Sequence, residues 1–459
     1  MRPAPPKNYA RLTVSHRRAS GSAPAADADL TPAELGTDRD VLPIPPGYRA
    51  LNVVPGIFSL LGCSALARTA TRTYQVTLIL FVLAVYHSPS LSGLILLASQ
   101  VPGLAVSPIA GALLDRRGRR ALIAIDFLTA ASALVLIVVL GALGDLPRWG
   151  LFVIVIAASF TQPLSSTGTR SMFPVIVPRH LWDRANGLDG STFVIANVFG
   201  PTLAGFGAAI VGSRYALLLP VVLYLVAASL LYWVRAPEPA RASTPLLSDA
   251  LGALRYVFTH KTLRQLSGLV TVYVAGVGTM NIAIPVLVLD HLHGGTTTTG
   301  LMLAVLGLGG SISSIAMGRI GTVGREHWLM SGGALVAGGL IAACAFAVHS
   351  EALGFVLLLL VGLTNGPVNI TMFTVRQRVT DPEWFGRAFA ISMSLNGAGI
   401  PTGAAITGLL ISHSIVVAFL VGGAVTAAAA IWSIISPFEE TPRAAPHQVE
   451  LHTAAEVAQ

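Results

Sequence analysis

A chain of 459 residues that is 53% hydrophobic and only 11% charged lies far from soluble proteins, which carry about 25% charged residues. Apolar runs near the ~20 residues needed to cross a bilayer core of about 30 Å recur along its length, so composition excludes a soluble domain and requires a polytopic membrane protein. The net charge of +8 would suggest a nucleic-acid partner in a soluble domain. In a membrane chain the basic residues instead set orientation, and no nucleic-acid function is expected.

Residues 1–48 are rich in Pro, Ala and charge, with Arg11, Arg17 and Arg18 ahead of Asp27, Asp29, Glu34, Asp38 and Asp40. No apolar period runs through them, and they read as a disordered tail. Twelve apolar segments follow, near 51–86, 89–112, 121–143, 149–170, 186–212, 215–235, 265–290, 299–318, 328–348, 353–375, 387–411 and 414–436. One set of alternate loops holds Arg116, Arg117, Arg119, Arg120, Arg179, Arg235, Arg241, Arg255, Lys261, Arg264, Arg319, Arg325, Arg376, Arg378 and Arg387; the other holds only Arg148 and Arg214. The bias predicts a cell-membrane protein with the arginine-rich loops and both termini in the cytoplasm.

Between segments six and seven, "APEPARASTP" reads as a linker, and "LLSDALGALRYVF" has the apolar spacing of a helix lying on the cytoplasmic membrane face. The expected organisation is a tail (1–48), a six-helix bundle (49–235), a linker with an amphipathic helix (236–264), a second six-helix bundle (265–436) and a tail (437–459). The halves repeat. Pro163 and Pro178 in the first stand fifteen apart, as do Pro367 and Pro382 in the second, and both stretches end in an Arg-Ala pair, Arg184-Ala185 and Arg387-Ala388. Duplicated bundles place a shared cavity between them.

The loop between segments two and three, "GALLDRRGRR", carries more than a positive anchor requires. Gly111 permits close helix approach, Gly118 suits a turn with positive φ, and Asp115 is placed to meet the positive end of a neighbouring helix. Gly111, Asp115, Arg116, Gly118, Arg119 and Arg120 fill the pattern G-x-x-x-D-R-x-G-R-R, and the chain resembles the major facilitator superfamily on this loop. The resemblance implies twelve helices in a 6+6 all-α fold and a gate in which Asp115 meets the start of helix eleven, near Pro382 to Ala388. "ANVFGPTLAG" resembles the superfamily's antiporter motif through Gly200, Pro201 and Gly205, with Ala196 and Ala204 in place of two glycines. "NGAGIPTGAA", Asn396 to Ala405, echoes it in the second half. Arg170, Pro174, Val177, Pro178, Ala185, Asn186, Gly200 and Pro201 are similar to the pattern of bacterial siderophore and macrolide exporters.

Charge inside the spans is the remaining signal. Each arginine at a helix centre costs about 2.5–3.5 kcal/mol on insertion scales. Arg68 and Arg72, at i and i+4 in segment one, share a face that cannot meet lipid. With Gln75, Asn197, Asn365, Asn369 and Asn396 they are the candidate cavity residues, reaching a substrate or, alternatively, pairing with Asp126 or Asp189. These two carboxylates are the candidate proton-coupling groups. A lone membrane asparagine, such as Asn281, equally suits a helix-to-helix hydrogen bond.

The expected function is secondary active export of small amphipathic organic compounds by alternating access, driven by a proton gradient. A nutrient importer of the same fold is the alternative, and a non-transporting receptor a more distant one. The intact gate pattern argues against a static protein. Cys63 and Cys344 lie in apolar segments; no metal, cofactor, enzyme active site or ATP-binding loop is expected, and a monomer is.

Overall fold

The computed structural model describes residues 51–435 except 53, 179–180, 235–245, 321, 323 and 382–383. The side chains at 108, 111, 112, 115, 116, 174, 182–184, 186, 187, 246–251, 253, 318, 319, 377, 385–387, 389 and 390 also lie outside the description. The two expected tails fall outside it as well.

The described chain is helical, and its helices form twelve spans in two groups of six. In the first half these are α1 (Ile57–Tyr86), α2 (Pro89–Ala98) with α3 (Val101–Arg117), α4 (Arg119–Leu143), α5 (Arg148–Ser159) with α6 (Gln162–Ile176), α7 (Trp182–Ala216) and α8 (Leu218–Tyr232). Helix α9 (Leu246–Thr259) lies between the halves. The second half holds α10 (Lys261–Gly278) with α11 (Met280–Val286) and a π-helical turn (Leu287–His291), then α12 (Thr296–Ile320), α13 (Glu326–Ala343), α14 (Glu351–Val379), α15 (Phe385–Ile411) and α16 (Ile415–Ile435). Among the described residues, nine helical stretches are long and apolar enough to cross a bilayer by themselves. The outer surface is apolar, and exposed Trp149, Phe346, Trp233 and Trp328 sit near the ends of spans, as interfacial aromatics do.

Local chemistry sets the ends. The first helix begins at Ile57 rather than near residue 51, because Gly56 takes φ 81° and cannot continue a helix. Ser88 caps α2, its hydroxyl accepting from the Leu91 N–H. Gly118 turns the chain between α3 and α4 with φ 91°, the positive value its place in the loop predicts. Spans two and four, expected to be continuous, are each broken. Helix α3 restarts at Gln100 with Pro102 in its first turn, and α6 restarts at Thr161 with Pro163 likewise. Gly103, beside the first break, lies against the Ser159 carbonyl beside the second.

The halves meet along two seams of small residues, as lipid-embedded helices require in the absence of a hydrophobic drive between them. In one, α7 crosses α12: a Cβ at Gly300 would lie 2.5 Å from the Pro201 carbonyl and 2.9 Å from Gly205 Cα, and Thr296 donates to the Gly205 carbonyl at 3.0 Å. In the other, α15 crosses α2: a Cβ at Gly93 would lie 2.5 Å from the Ala404 carbonyl, and Ser90 donates to the Gly408 carbonyl at 2.8 Å. A buried apolar cluster joins both halves at the end opposite the arginine-rich loops, including Ile79, Leu80, Leu96, Met280, Met302 and Phe419. Toward the arginine-rich end each half keeps its own core, around Phe127 and Met172 in the first and Tyr273 and Met372 in the second. The bundle is therefore sealed at the opposite end.

Gly300→Val should disrupt the first seam, costing about 1–3 kcal/mol of overpacking and most of the transport rate. Gly332→Ala, on α13 with open space around the new methyl, should change neither. Thermal unfolding and uptake assays on both variants check this; an active, equally stable Gly300→Val would remove the seam.

Candidate functional site

The polar residues of α1 form one interior face. A helical side chain leans toward its helix's amino end, and Arg68 reaches back to the start of α7. Its Nη1 lies 2.8 Å from Asp189 Oδ1, its Nη2 donates to Asp189 Oδ2 at 3.0 Å, and Nη1 also donates to the Asp189 carbonyl at 2.9 Å and to the Thr192 hydroxyl. The guanidinium carbon stands 3.7 Å from the centre of the Phe193 ring, and that of Arg170, from α6, stands 4.9 Å from it. Two cations thus share one aromatic ring, whose quadrupole attracts both, with one carboxylate beside them. Of the two partners open to Arg68 on sequence grounds, the structure selects Asp189.

Arg72, one turn further, has a different environment. Its Nη1 donates to Gln75 Oε1 at 3.2 Å, and Gln75 Nε2 donates to Gln100 Oε1 at 3.3 Å. Gly200 lies against the Arg72 Cβ, and Thr73 donates to the Gly200 carbonyl at 3.2 Å. Gly200 therefore packs α7 against α1, while Gly205, five residues on, packs it against α12. The echo in α15 works alike: Gly399 and Gly403 lie against Thr271 and Ala275 of α10, and Ala404 meets Gly93 of α2.

Asp126 is buried in the first half, away from every arginine pair among the described residues. Its carboxyl faces the hydroxyls of Thr161 and Ser165, which stand at the N-cap and first turn of α6. A helix amino end carries about half a positive charge, so the break in span four supplies Asp126 with a partner no cation provides. Nearby, Tyr224 of α8 shares a 3.0 Å hydrogen bond with Thr71 and stacks on Phe127.

The second half holds a site the sequence reading placed elsewhere. Arg376, counted there among the loop arginines, is fully buried inside α14. Its Nη1 lies 3.0 Å from Met393 Sδ, and the Asn396 amide, oriented by its neighbours, accepts from Nη2 at 3.0 Å while donating to the Ser392 and Ser267 carbonyls at 3.2 Å. The polar run "TVRQRVTDP" resembles a loop, but α14 continues through it to Val379. The halves are alike: Phe193 precedes Pro201 by eight residues and Met393 precedes Pro401 by eight, and each carries an arginine from a neighbouring helix.

The remaining candidates divide. Asn365 accepts from the Tyr273 hydroxyl at 2.7 Å, a helix-to-helix bond, and Asn281 donates to the Gly278 carbonyl at 3.2 Å. Asn369 lies one turn beyond Asn365 on α14, and the Asn197 backbone meets Gly307 of α12. In the loop between spans two and three Arg120 lies over the Tyr232 ring at 4.9 Å; Arg119 opens α4. The side chains of Asp115 and Arg116, like those of Pro174 and Asn186, lie outside the described residues. Their helix is placed: Ser107 of α3 hydrogen-bonds Ser394 of α15 at 2.7 Å. Asp115 follows Ser107 by eight residues and Phe385 precedes Ser394 by nine, so both lie about 12–14 Å further along at 1.5 Å per residue.

One face of helix α9 packs on protein, while Leu254 and Phe258 remain exposed on it. Tyr256 stacks on Trp384 at 5.3 Å and donates to Asp381 at 2.9 Å, and Val257 is fully buried. Arg378 of α14 pairs with Glu326 at 2.7 Å, closing the neighbouring loop.

The family model described as Major Facilitator Superfamily matches residues 60–383 and 266–456. The MFS-type transporter y4rN of Sinorhizobium fredii is 36% identical over 404 residues, 86% of this chain and 98% of that protein. The multidrug efflux pump Tap of Mycolicibacterium fortuitum is 24% identical over 359 residues, 75% of this chain and 87% of that protein. Among solved structures, the nucleoside transporter NupG superposes with TM-score 0.65 at 13% identity, covering 83% of this chain and all of that one.

Removing one member of a buried ion pair costs about 3–5 kcal/mol, because the other is left uncompensated. Asp189→Asn should therefore destabilise strongly, and Arg68→Met combined with Asp189→Leu should recover most of the loss. A double-mutant cycle of unfolding midpoints checks it; additive effects would dissolve the pair.

Proposed function

Because the chain belongs to the Major Facilitator Superfamily, we propose that it is a proton-coupled exporter of small amphipathic organic compounds, working by alternating access as a monomer in the cell membrane. Its arginine-rich loops and both termini face the cytoplasm. The observation that carries export is the position of Gly200, Pro201 and Gly205: one stretch of α7 packs span one on one side and the seam with α12 on the other. Rocking of the halves must pass through this stretch, and proline removes the backbone bond that would stiffen it. The likeness to an efflux pump supports the same direction. In this orientation the sealed end is the outer face, so the bundle rests closed to the outside.

Asp126 is the coupling group. A hydroxyl can donate to a carboxylate or accept from a carboxylic acid, so Thr161 and Ser165 serve either state, and a change of state there is felt directly by the broken span four. Asp189 is held by Arg68 and organises the site. Asp115, level with the start of α15, latches the gate. Arg68, Arg72 and Gln75 face the substrate, and Asn197 and Asn369 extend that surface. Asn365 and Asn396 contribute through the helices they join.

Cells expressing the protein should accumulate less of an effluxed dye than cells lacking it, and a proton uncoupler should abolish the difference. Equal accumulation across a broad panel would sink export. Asp126→Asn should retain substrate binding while losing the response to an imposed pH gradient in proteoliposomes; an intact response would move coupling elsewhere. Asp115→Asn should slow turnover with little change in apparent affinity, and unchanged turnover would remove the latch.

A further inference from the structure

Two arginines of α1, Arg68 and Arg72, are half-buried in the first half, and Arg170 of α6 is exposed beside them. Of the two carboxylates near them, Asp189 is committed to Arg68 and Asp126 faces hydroxyls on α6. Among the described residues no carboxylate meets Arg72. Its described hydrogen-bond partner is neutral Gln75, although a guanidinium at this depth needs a counter-charge or water. The face is internal: Gln75 bonds across to α3's cap, and Gly200 of α7 presses on the Arg72 stem.

A second feature points to the same place. Gln75 engages the Gln100 carbonyl oxygen, and the Gln100 amide nitrogen is buried with no hydrogen-bond partner. A buried donor left unmade costs about 1–3 kcal/mol, so it marks a group that something else satisfies. Gln100 is also the N-cap of α3 at the break in span two, where the following helix presents its positive end. The row Arg72–Gln75–Gln100 therefore begins with a cation and ends with an unused N–H donor beside a helix amino terminus. All three ask for an acceptor with negative charge.

We propose that Arg72, Gln75 and Gln100 form a carboxylate-binding subsite, and that the compounds carried are organic monoanions. This rests on the reading of the first-half interior as the substrate surface, and it adds Gln100 to the residues that touch substrate. A planar carboxylate matches the guanidinium fork, and the unused Gln100 amide supplies a further donor at the other end of the row. Arg68 and Asp189 neutralise each other and Arg170 lies over the Phe193 ring, so the charge that the subsite itself offers is that of Arg72.

The test uses the purified full chain in nanodiscs and three aryl carboxylates (benzoate, 1-naphthoate and 9-anthracenecarboxylate), each against its neutral amide, read by calorimetry and thermal unfolding. At least one acid should bind and raise the melting temperature, with its amide at least about tenfold weaker, as expected for a charged hydrogen bond. Gln75→Glu places a carboxylate of the right size beside Arg72. It should raise the melting temperature of the ligand-free protein and lower acid binding by at least about tenfold, whereas Gln100→Leu should weaken the acid more than the amide. Should Arg72→Ala fail to fold, Arg72→Lys keeps the charge and should retain part of the preference. Amides binding as well as acids, no acid binding, or Gln75→Glu leaving acid binding intact would each overturn the subsite. None of these measurements needs a gradient. Acid binding without gradient-driven efflux would retire the exporter and keep the subsite; driven efflux of neutral compounds with acids ignored would do the reverse.

Discussion

A guanidinium inside a bilayer has to be solvated by the protein, and much of the first half is arranged around Arg68. Lipid offers no counter-charge, so α7 must lie where Asp189, Thr192 and Phe193 can surround it. The carboxylate neutralises one cation, and the Phe193 ring serves Arg68 and Arg170 together. That pairing draws the start of α7 to α1. Further along, Gly200 lets the two backbones close on each other beside Arg72. An ion pair of this kind adds little net stability compared with apolar packing. Its value lies in fixing which helices are neighbours.

Between the halves the logic is different, because no charge pair is described across the seams. Glycine, alanine and carbonyl oxygens meet there, with single hydroxyl bonds from Ser90 and Thr296. Contacts of this sort are numerous but individually weak, and they leave neither half holding an unsatisfied charge when they part. The second half repeats the arrangement with softer chemistry, Arg376 against Met393 and Asn396. Among the described residues, the apolar cluster at the sealed end is where both halves share a core. A bundle whose halves share an apolar core at one end and meet toward the other through contacts such as Ser107 with Ser394 suits rocking.

Much of this was legible in the residues. Runs of apolar residues marked the spans within several residues at most ends, since crossing a membrane requires a length that local sequence cannot hide. The Gly118 turn and the small-residue face of α7 were visible because glycine is needed for close approach and for positive φ. Arg376 was not, because the polar end of α14 looks like a loop until its neighbours are known. The breaks in spans two and four were missed for a related reason. Pro102 and Pro163 were present, yet proline is also tolerated in continuous membrane helices.

By itself the sequence determined the membrane class, the count of spans, the duplicated halves and the family to which the chain belongs. All of these follow from composition, period, spacing and motifs along the chain. Only the tertiary structure decided which charges are neutralised. Arg68 meets a carboxylate 121 residues away, Asp126 meets the amino end of a broken helix, and Arg72 meets no carboxylate among the described residues. Pairing depends on which helices touch and in what register, and a charge four residues along the same face can have a wholly different fate.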